Sequence, residues 1–167
     1  TPGQTEYSFG STALSGIEAR LYVWNQYHRV AVAAMVRDAT DSWTYQLSAW
    51  RSTNASPNMR VSYVCGQVED ALVAQHAAMA SGGGLVDTIT GIGVDSTTSA
   101  SGTMQYSNEP QMIIVPLVAF YVGIPGLGYH FIQAIEAMLV TSAAATWYGD
   151  AGFPGQLQSG LLVWWRA

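Results

Sequence analysis

Apolar and polar residues alternate along this chain in short runs that turn-forming clusters interrupt, and no other feature restricts the fold as tightly. Ile17 to Trp24 sets Glu18, Arg20 and Tyr22 on one side and Ile17, Ala19, Leu21 and Val23 on the other. Successive strand side chains point to opposite faces, so this reads as a half-buried strand. Trp43 to Trp50 alternates in the same way, with Trp43, Tyr45 and Leu47 against Thr44, Gln46 and Ser48. Met59 to Cys65 and Leu161 to Trp165 read as further strands. Gln111 to Val122 is β-rich, and Pro116 within it predicts an edge or a bulge, because proline cannot donate to a ladder. Val30 to Val36 is apolar throughout and reads as a strand covered on both faces.

Turn composition separates these runs at Asp38–Ser42, Ser52–Asn58, Ser81–Gly84, Gly123–Gly128 and Gly149–Gly155. Two stretches stay open between helix and strand. Alanines favour a helix in Glu69 to Ala80, and Tyr129 to Val140 allows one too. Thr141 to Ala144 then reads as a turn, with Ala145 to Tyr148 as the second arm of a hairpin. Roughly eight to ten strands divided by turn-rich loops predict an all-β antiparallel sandwich or barrel. No short period repeats, which excludes solenoids and propellers. Residues 1–15, rich in Gly, Ser and Thr, read as a linker or N-terminal extension, and residues 16–167 as a single β-sandwich domain. Thr1 at the first position points to a trimmed product or a piece of a longer protein.

Charge narrows the function. Only 10% of residues are charged, against about 25% in an ordinary domain. Either the monomer presents neutral Ser, Thr, Asn and Gln to water, or part of its surface is buried against copies of the same chain. The second is preferred, because an interface core loses charge in the same way. The net charge is −5, lysine is absent, and the six arginines are scattered. Phosphate neutralisation needs clustered cations, so nucleic acid is excluded as a partner. The longest apolar run, Met112 to Val122, is too short for a membrane span. A soluble chain without membrane insertion is expected. Cys65 is the sole cysteine and reads as a buried structural thiol.

Catalytic and cofactor signatures are sparse. A chain without lysine has no Gly-Lys-Ser/Thr phosphate loop, and neither Gly82-Gly83-Gly84 nor Gly123 to Gly128 matches a dinucleotide fingerprint. His28, His76 and His130 stand too far apart in sequence for a metal-ligand pair. Asp95-Ser96-Thr97-Thr98 offers oxygen ligands, but Asp and Ser serve as turn formers through side-chain-to-backbone bonds, and the turn is the expectation. No catalytic residue, no metal and no cofactor is therefore expected. The carboxylate of greatest interest is Glu136, in an apolar stretch where burial would raise its pKa. Its plainer role is a strand glutamate on the wet face or one salt-bridged to an arginine. Glycoside hydrolysis would need it paired with a second carboxyl about 5 to 9.5 Å away.

Aromatics are more informative. Six tryptophans and nine tyrosines belong mostly to core or subunit contacts, given the apolar area each buries. Trp164 and Trp165 must face opposite ways, so one fills the interior and the other needs a neighbouring subunit or ligand. Near loops, Trp24, Tyr27, Trp147 and Tyr148 lie beside amide or carboxylate groups, as sugar-stacking rings do. These four are the candidate glycan contacts.

A resemblance gathers the remaining motifs. Val64-Cys65-Gly66-Gln67-Val68-Glu69-Asp70, Gly91-Ile92-Gly93-Val94-Asp95-Ser96-Thr97-Thr98 and Val122 to His130 form its first part. Thr146-Trp147-Tyr148-Gly149-Asp150 and Gln158-Ser159-Gly160-Leu161 complete it. Together they resemble the C-terminal domains of tailed-bacteriophage virion proteins, the tail-fibre, receptor-binding and capsid-surface components, over residues 60–165. The resemblance implies a jelly-roll-like β-sandwich knob assembled as a homotrimer on the virion surface. Its partners would be sister copies, other virion proteins and host-cell surface glycan, and its role attachment to the host or decoration of the particle. A stand-alone carbohydrate-binding module and a polysaccharide hydrolase are the alternatives.

Overall fold

The computed structural model describes residues 4–9, 19–24, 30–68, 70–82, 86–102, 105–109, 114–140, 142–149 and 159–166. Its strands in chain order are β1 (Gln4–Phe9), β2 (Ala19–Trp24), β3 (Ala31–Arg37), β4 (Ser42–Tyr45), β5 (Arg51–Ser52), β6 (Arg60–Cys65) and β7 (Leu72–Gly82). After them come β8 (Val86–Val94), β9 (Gln105–Glu109), β10 (Ile114–Gly123), β11 (Gly128–Val140), β12 (Ala145–Tyr148) and β13 (Gly160–Arg166). Every pairing is antiparallel. One 3₁₀ turn, Thr53–Ala55, is the helical element among the described residues. No described helix is long and apolar enough to cross a membrane.

Two sheets make a jelly-roll-like sandwich. The larger has six strands, β3, β13, β7, β12, β4 and β10; the smaller has five, β5, β11, β8, β9 and β6. Each is organised on one long strand. In the larger sheet β7 pairs along its whole length with β10, from Ile114↔Ser81 to Gly123↔Leu72. Its other edge is shared end to end by β13, opposite Val73 to Ala77, and β12, opposite Met79 to Gly82. The long strand β11 repeats the device, with β8 on one edge and β6 followed by β5 on the other. The passages β7 to β8, β9 to β10, β10 to β11 and β11 to β12 each cross from one sheet to the other. β1 and β2 form a separate two-stranded sheet through six register pairs, so part of the segment expected as a linker or extension is a strand.

Period two explains the core. On β7 the positions Leu72, Ala74, His76, Ala78 and Ala80 are all buried. Leu161 and Val163 of β13, Leu117 and Ala119 of β10 and Trp147 of β12 lie in register beside them and are buried too. Ile132, Ala134 and Met138 of β11 with Ile92 of β8 close the core from the smaller sheet. Each fully buried Leu, Ile or Val contributes about 1.5–3 kcal/mol of transfer free energy.

One open reading is settled and two sequence expectations are corrected. Both segments left open between helix and strand form strands, β7 and β11, because each pairs along two edges, which overrides alanine's helix preference. The hairpin expected across Thr141–Ala144 is not formed. β12 pairs with β4 and β7 in the opposite sheet instead of with β11. Val30–Val36 is not covered on both faces: Ala34 and Val36 of β3 pack on the core, whereas Met35 is 55% exposed. The strand lies at the sheet margin, paired with β13 and with no other described strand, and nothing described covers its outer side. Pro116 behaves as expected, since β10 pairs with β7 and no other described strand, the edge position where proline is tolerated.

Candidate functional site

The most highly connected side chain is Glu136. It occupies β11 opposite Thr90 of β8 and Arg51 of β5, and its inward direction takes it between the sheets, fully buried. Trp43 on β4 of the opposing sheet points its Nε1–H at both carboxylate oxygens, at 3.1 and 2.8 Å. Arg51 donates from Nε at 2.8 Å, and its second nitrogen Nη2 lies 2.7 Å from the same oxygen. The backbone N–H of Asn54 adds a fourth donor at 3.2 Å. Asn54 adopts φ 56°, a left-handed conformation that asparagine tolerates better than most residues. That twist aims its N–H at Glu136 and lets its side-chain amide donate to Asp38 Oδ2 at 3.1 Å and Thr40 Oγ1 at 2.9 Å. The Arg51 guanidinium also stacks 3.8 Å above the Tyr45 ring.

Burial pushes the Glu136 carboxyl above the ordinary range, against the pull of the Trp43 and Arg51 donors. The direction matches the sequence expectation, and so does the arginine partner. A hydrolytic acid must reach its substrate within hydrogen-bond distance. Glu136 exposes no surface and its oxygens are engaged by groups of its own chain, so the arrangement is a cross-link between layers.

His76 makes a second polar link between the sheets. From β7 its Nδ1 meets Thr90 Oγ1 of β8 at 2.6 Å and the Gly91 carbonyl oxygen at 3.2 Å. Burial lowers its pKa from 6.5 to about 4. The unfolded chain therefore binds a proton between these values that the folded chain refuses. Stability from this group is complete above pH 6.5 and is lost as pH falls toward 4. At about 1.4 kcal/mol per unit the loss amounts to roughly 3 kcal/mol. Urea unfolding should show that decline, and it should be largely absent in His76→Leu. An equal decline in the variant would assign the acid sensitivity to other groups.

His130 is held outside the core proper. Its Nδ1 lies 2.7 Å from Asp95 Oδ2, while Asp95 Oδ1 accepts the Phe131 N–H at 2.9 Å. The Asp95–Thr98 segment is a turn, as expected, with Thr98 N–H donating to Ser96 Oγ at 3.2 Å. No group of three or more His, Cys, Asp or Glu side chains among the described residues could hold a metal ion. Cys65 is buried, its thiol directed at the Gln67 carbonyl. His28 and Glu69 lie outside the described residues.

Of the four expected glycan contacts, Trp147 and Tyr148 are the two whose side chains are described. Tyr27 lies outside the described residues, and Trp24 occupies the last position of β2, in register with Gln4. Trp147 is a correction: it is 0% exposed, because β12 is flanked by β4 and β7 and turns this ring inward. Tyr148, next along the strand, points the other way, and its hydroxyl is 3.0 Å from Ser81 Oγ.

What the sequence reading missed is the outer face of the larger sheet. Register aligns Ala33, Trp164, Val73 and Val122 in one row across β3, β13, β7 and β10. The next row is Met35, Leu162, Gln75 and Phe120. Val122 is 71% exposed, Phe120 44% and Trp164 38%. Beside them Met35, Arg37, Gln75, Ala77, Gly160 and Leu162 border a depression of about 240 Å³. A Cβ added at Gly160 would stand 3.7 Å from the Val36 carbonyl oxygen, an ordinary contact distance. The one signal available in the sequence was Trp164-Trp165, which needs a partner on each side of its strand.

No family model matches this chain, and no curated protein matches it. Among solved structures, one described as the structure of infectious bursal disease virus Gx strain is similar over 96% of this chain, with 9% identity and a TM-score of 0.42. This chain spans 42% of the length of that one.

Proposed function

We propose that this chain is a structural module of a virion surface, which works by packing against sister copies instead of by chemistry. The observation that carries the reading is the doubly apolar larger sheet. An antiparallel sheet in a monomer shows water an alternating polar face, yet here Trp164, Val73, Val122, Met35 and Phe120 share the outer side. An apolar patch rimmed by polar residues marks an interaction site. The charge-poor composition and the likeness of residues 60–165 to phage virion-surface domains support the same reading. A homotrimer is the assembly proposed, with decoration of the particle favoured over sugar binding because Trp147 is core and the Tyr148 hydroxyl is bonded within the chain. Repetition of the module would then supply strength through multivalency.

Light scattering across a concentration series tests this directly. A mass of three chains is expected, and a monomer persisting at micromolar concentration would overturn the reading.

A further inference from the structure

We infer that the β1–β2 hairpin is an exchanged arm, whose apolar face seats on the outer face of the larger sheet of a neighbouring copy. The inference rests on the self-packing reading above and names the segment that makes the contact. β1 and β2 pair with each other and with no other described strand. A two-stranded sheet standing by itself is at best marginally stable in water and needs a surface to lie against.

The hairpin has one face suited to that contact. Register pairs Thr5 with Val23, Tyr7 with Leu21 and Phe9 with Ala19, and strand alternation assigns these residues to one side. None of them is charged. The hairpin's charged residues, Glu6 and Arg20, fall on the other side with Tyr22 and Trp24. The uncharged side is about 20 Å long at roughly 3.3 Å per residue.

The receiving face presents Trp164, Val73 and Val122 in one row and Met35, Leu162 and Phe120 in the next. Two sheets pack face to face by interleaving rows of this kind. Within one chain this face stays open, since Val122, Phe120 and Trp164 are all exposed, so its occupant comes from outside that chain. Six residues separate β2 from β3, a span of at most about 22 Å, and β3 lies at the margin of the larger sheet. The hairpin is therefore tethered at the border of that sheet by enough chain to leave its own body. If each copy gives its arm to the next, a closed ring of three leaves no hairpin and no outer face unoccupied.

The test uses two full-length double variants. Tyr7→Thr/Leu21→Thr removes apolar area from the arm while keeping strand-forming residues. Phe120→Thr/Trp164→Thr does the same to the receiving face, and circular dichroism checks that both fold. In sedimentation each alone is expected to dissociate at least tenfold more readily than wild type, whereas Tyr7→Phe/Leu21→Ile should assemble as wild type does. Mixed in equal amounts, the two threonine variants should complement each other once. The intact arm of the second seats on the intact face of the first, and a species of two chains forms. A mixture that stays monomeric while wild type assembles would overturn the arm exchange alone, as would unchanged assembly of Tyr7→Thr/Leu21→Thr. A wild-type chain that stays monomeric would remove the self-packing reading together with this one.

Discussion

Replacing Glu136 by alanine should lower the unfolding free energy by about 3–4 kcal/mol, a loss typical of removing one partner from a buried ion pair. The damage comes from what is left behind. The Trp43 indole N–H and the Asn54 N–H lose their acceptor, and an unsatisfied buried donor costs about 1–3 kcal/mol. Arg51 fares better, because its side chain is 28% exposed and water can rehydrate the guanidinium, which keeps the total toward the lower end of the range. Trp43→Phe removes a single donor and should cost about 1–2 kcal/mol. Urea unfolding followed by tryptophan fluorescence measures both. A Glu136→Ala variant as stable as the parent would show that the cross-link between layers carries no net stability.

Trp147→Ala should destabilise by a comparable amount, about 3–5 kcal/mol, as truncation of a buried Trp does. The ring packs in the cluster formed by Trp43, Tyr45, Ala78, Ala80, Leu117, Met138 and Ala145, and several of these neighbours are too small to collapse into the space. Its Nε1–H finds no acceptor among the described residues, so Trp147→Phe should cost distinctly less than Trp147→Ala, retaining ring area while shedding an unpaired donor. Thermal melts of the two variants separate the effects. A stable Trp147→Ala variant that had lost only ligand binding would restore this residue to the surface role first expected of it.

Strands with one wet face were legible in the sequence. β6 alternates along Val61, Tyr63 and Cys65 inward with Arg60 and Ser62 outward, and its bounds fall within one residue of the expected ones. β7 was not legible, because its outward positions Val73, Ala77 and Met79 are as apolar as its inward ones. The property that hid the strand is the one that leaves the outer face apolar. β11 was obscured for another reason: its outward Gln133, Ile135 and Ala137 are buried as well. The Gln133 amide donates to the Met59 carbonyl at 3.0 Å, and Trp50 lies against Gly91 beside Ile135, its ring atoms 3.0 Å from where a Cβ would sit. A segment returning from elsewhere in the chain covers that sheet, and such a cover leaves no local mark. The apolar setting of Glu136 was visible locally, whereas the partners of Trp147 depend on which strands flank β12.

The polar contacts Glu136–Trp43 and His76–Thr90 leave neighbouring positions of the smaller sheet, where Glu136 and Thr90 are cross-strand partners, and reach two different strands of the larger, β4 and β7. Links that diverge from one place to two strands resist sliding in more than one direction. Hydrocarbon alone would let the layers drift past one another at small energetic expense, whereas these bonds fix one alignment. A building block with such dowelled layers presents every copy's contact surface at the same angle, and a closed ring demands that uniformity of its parts.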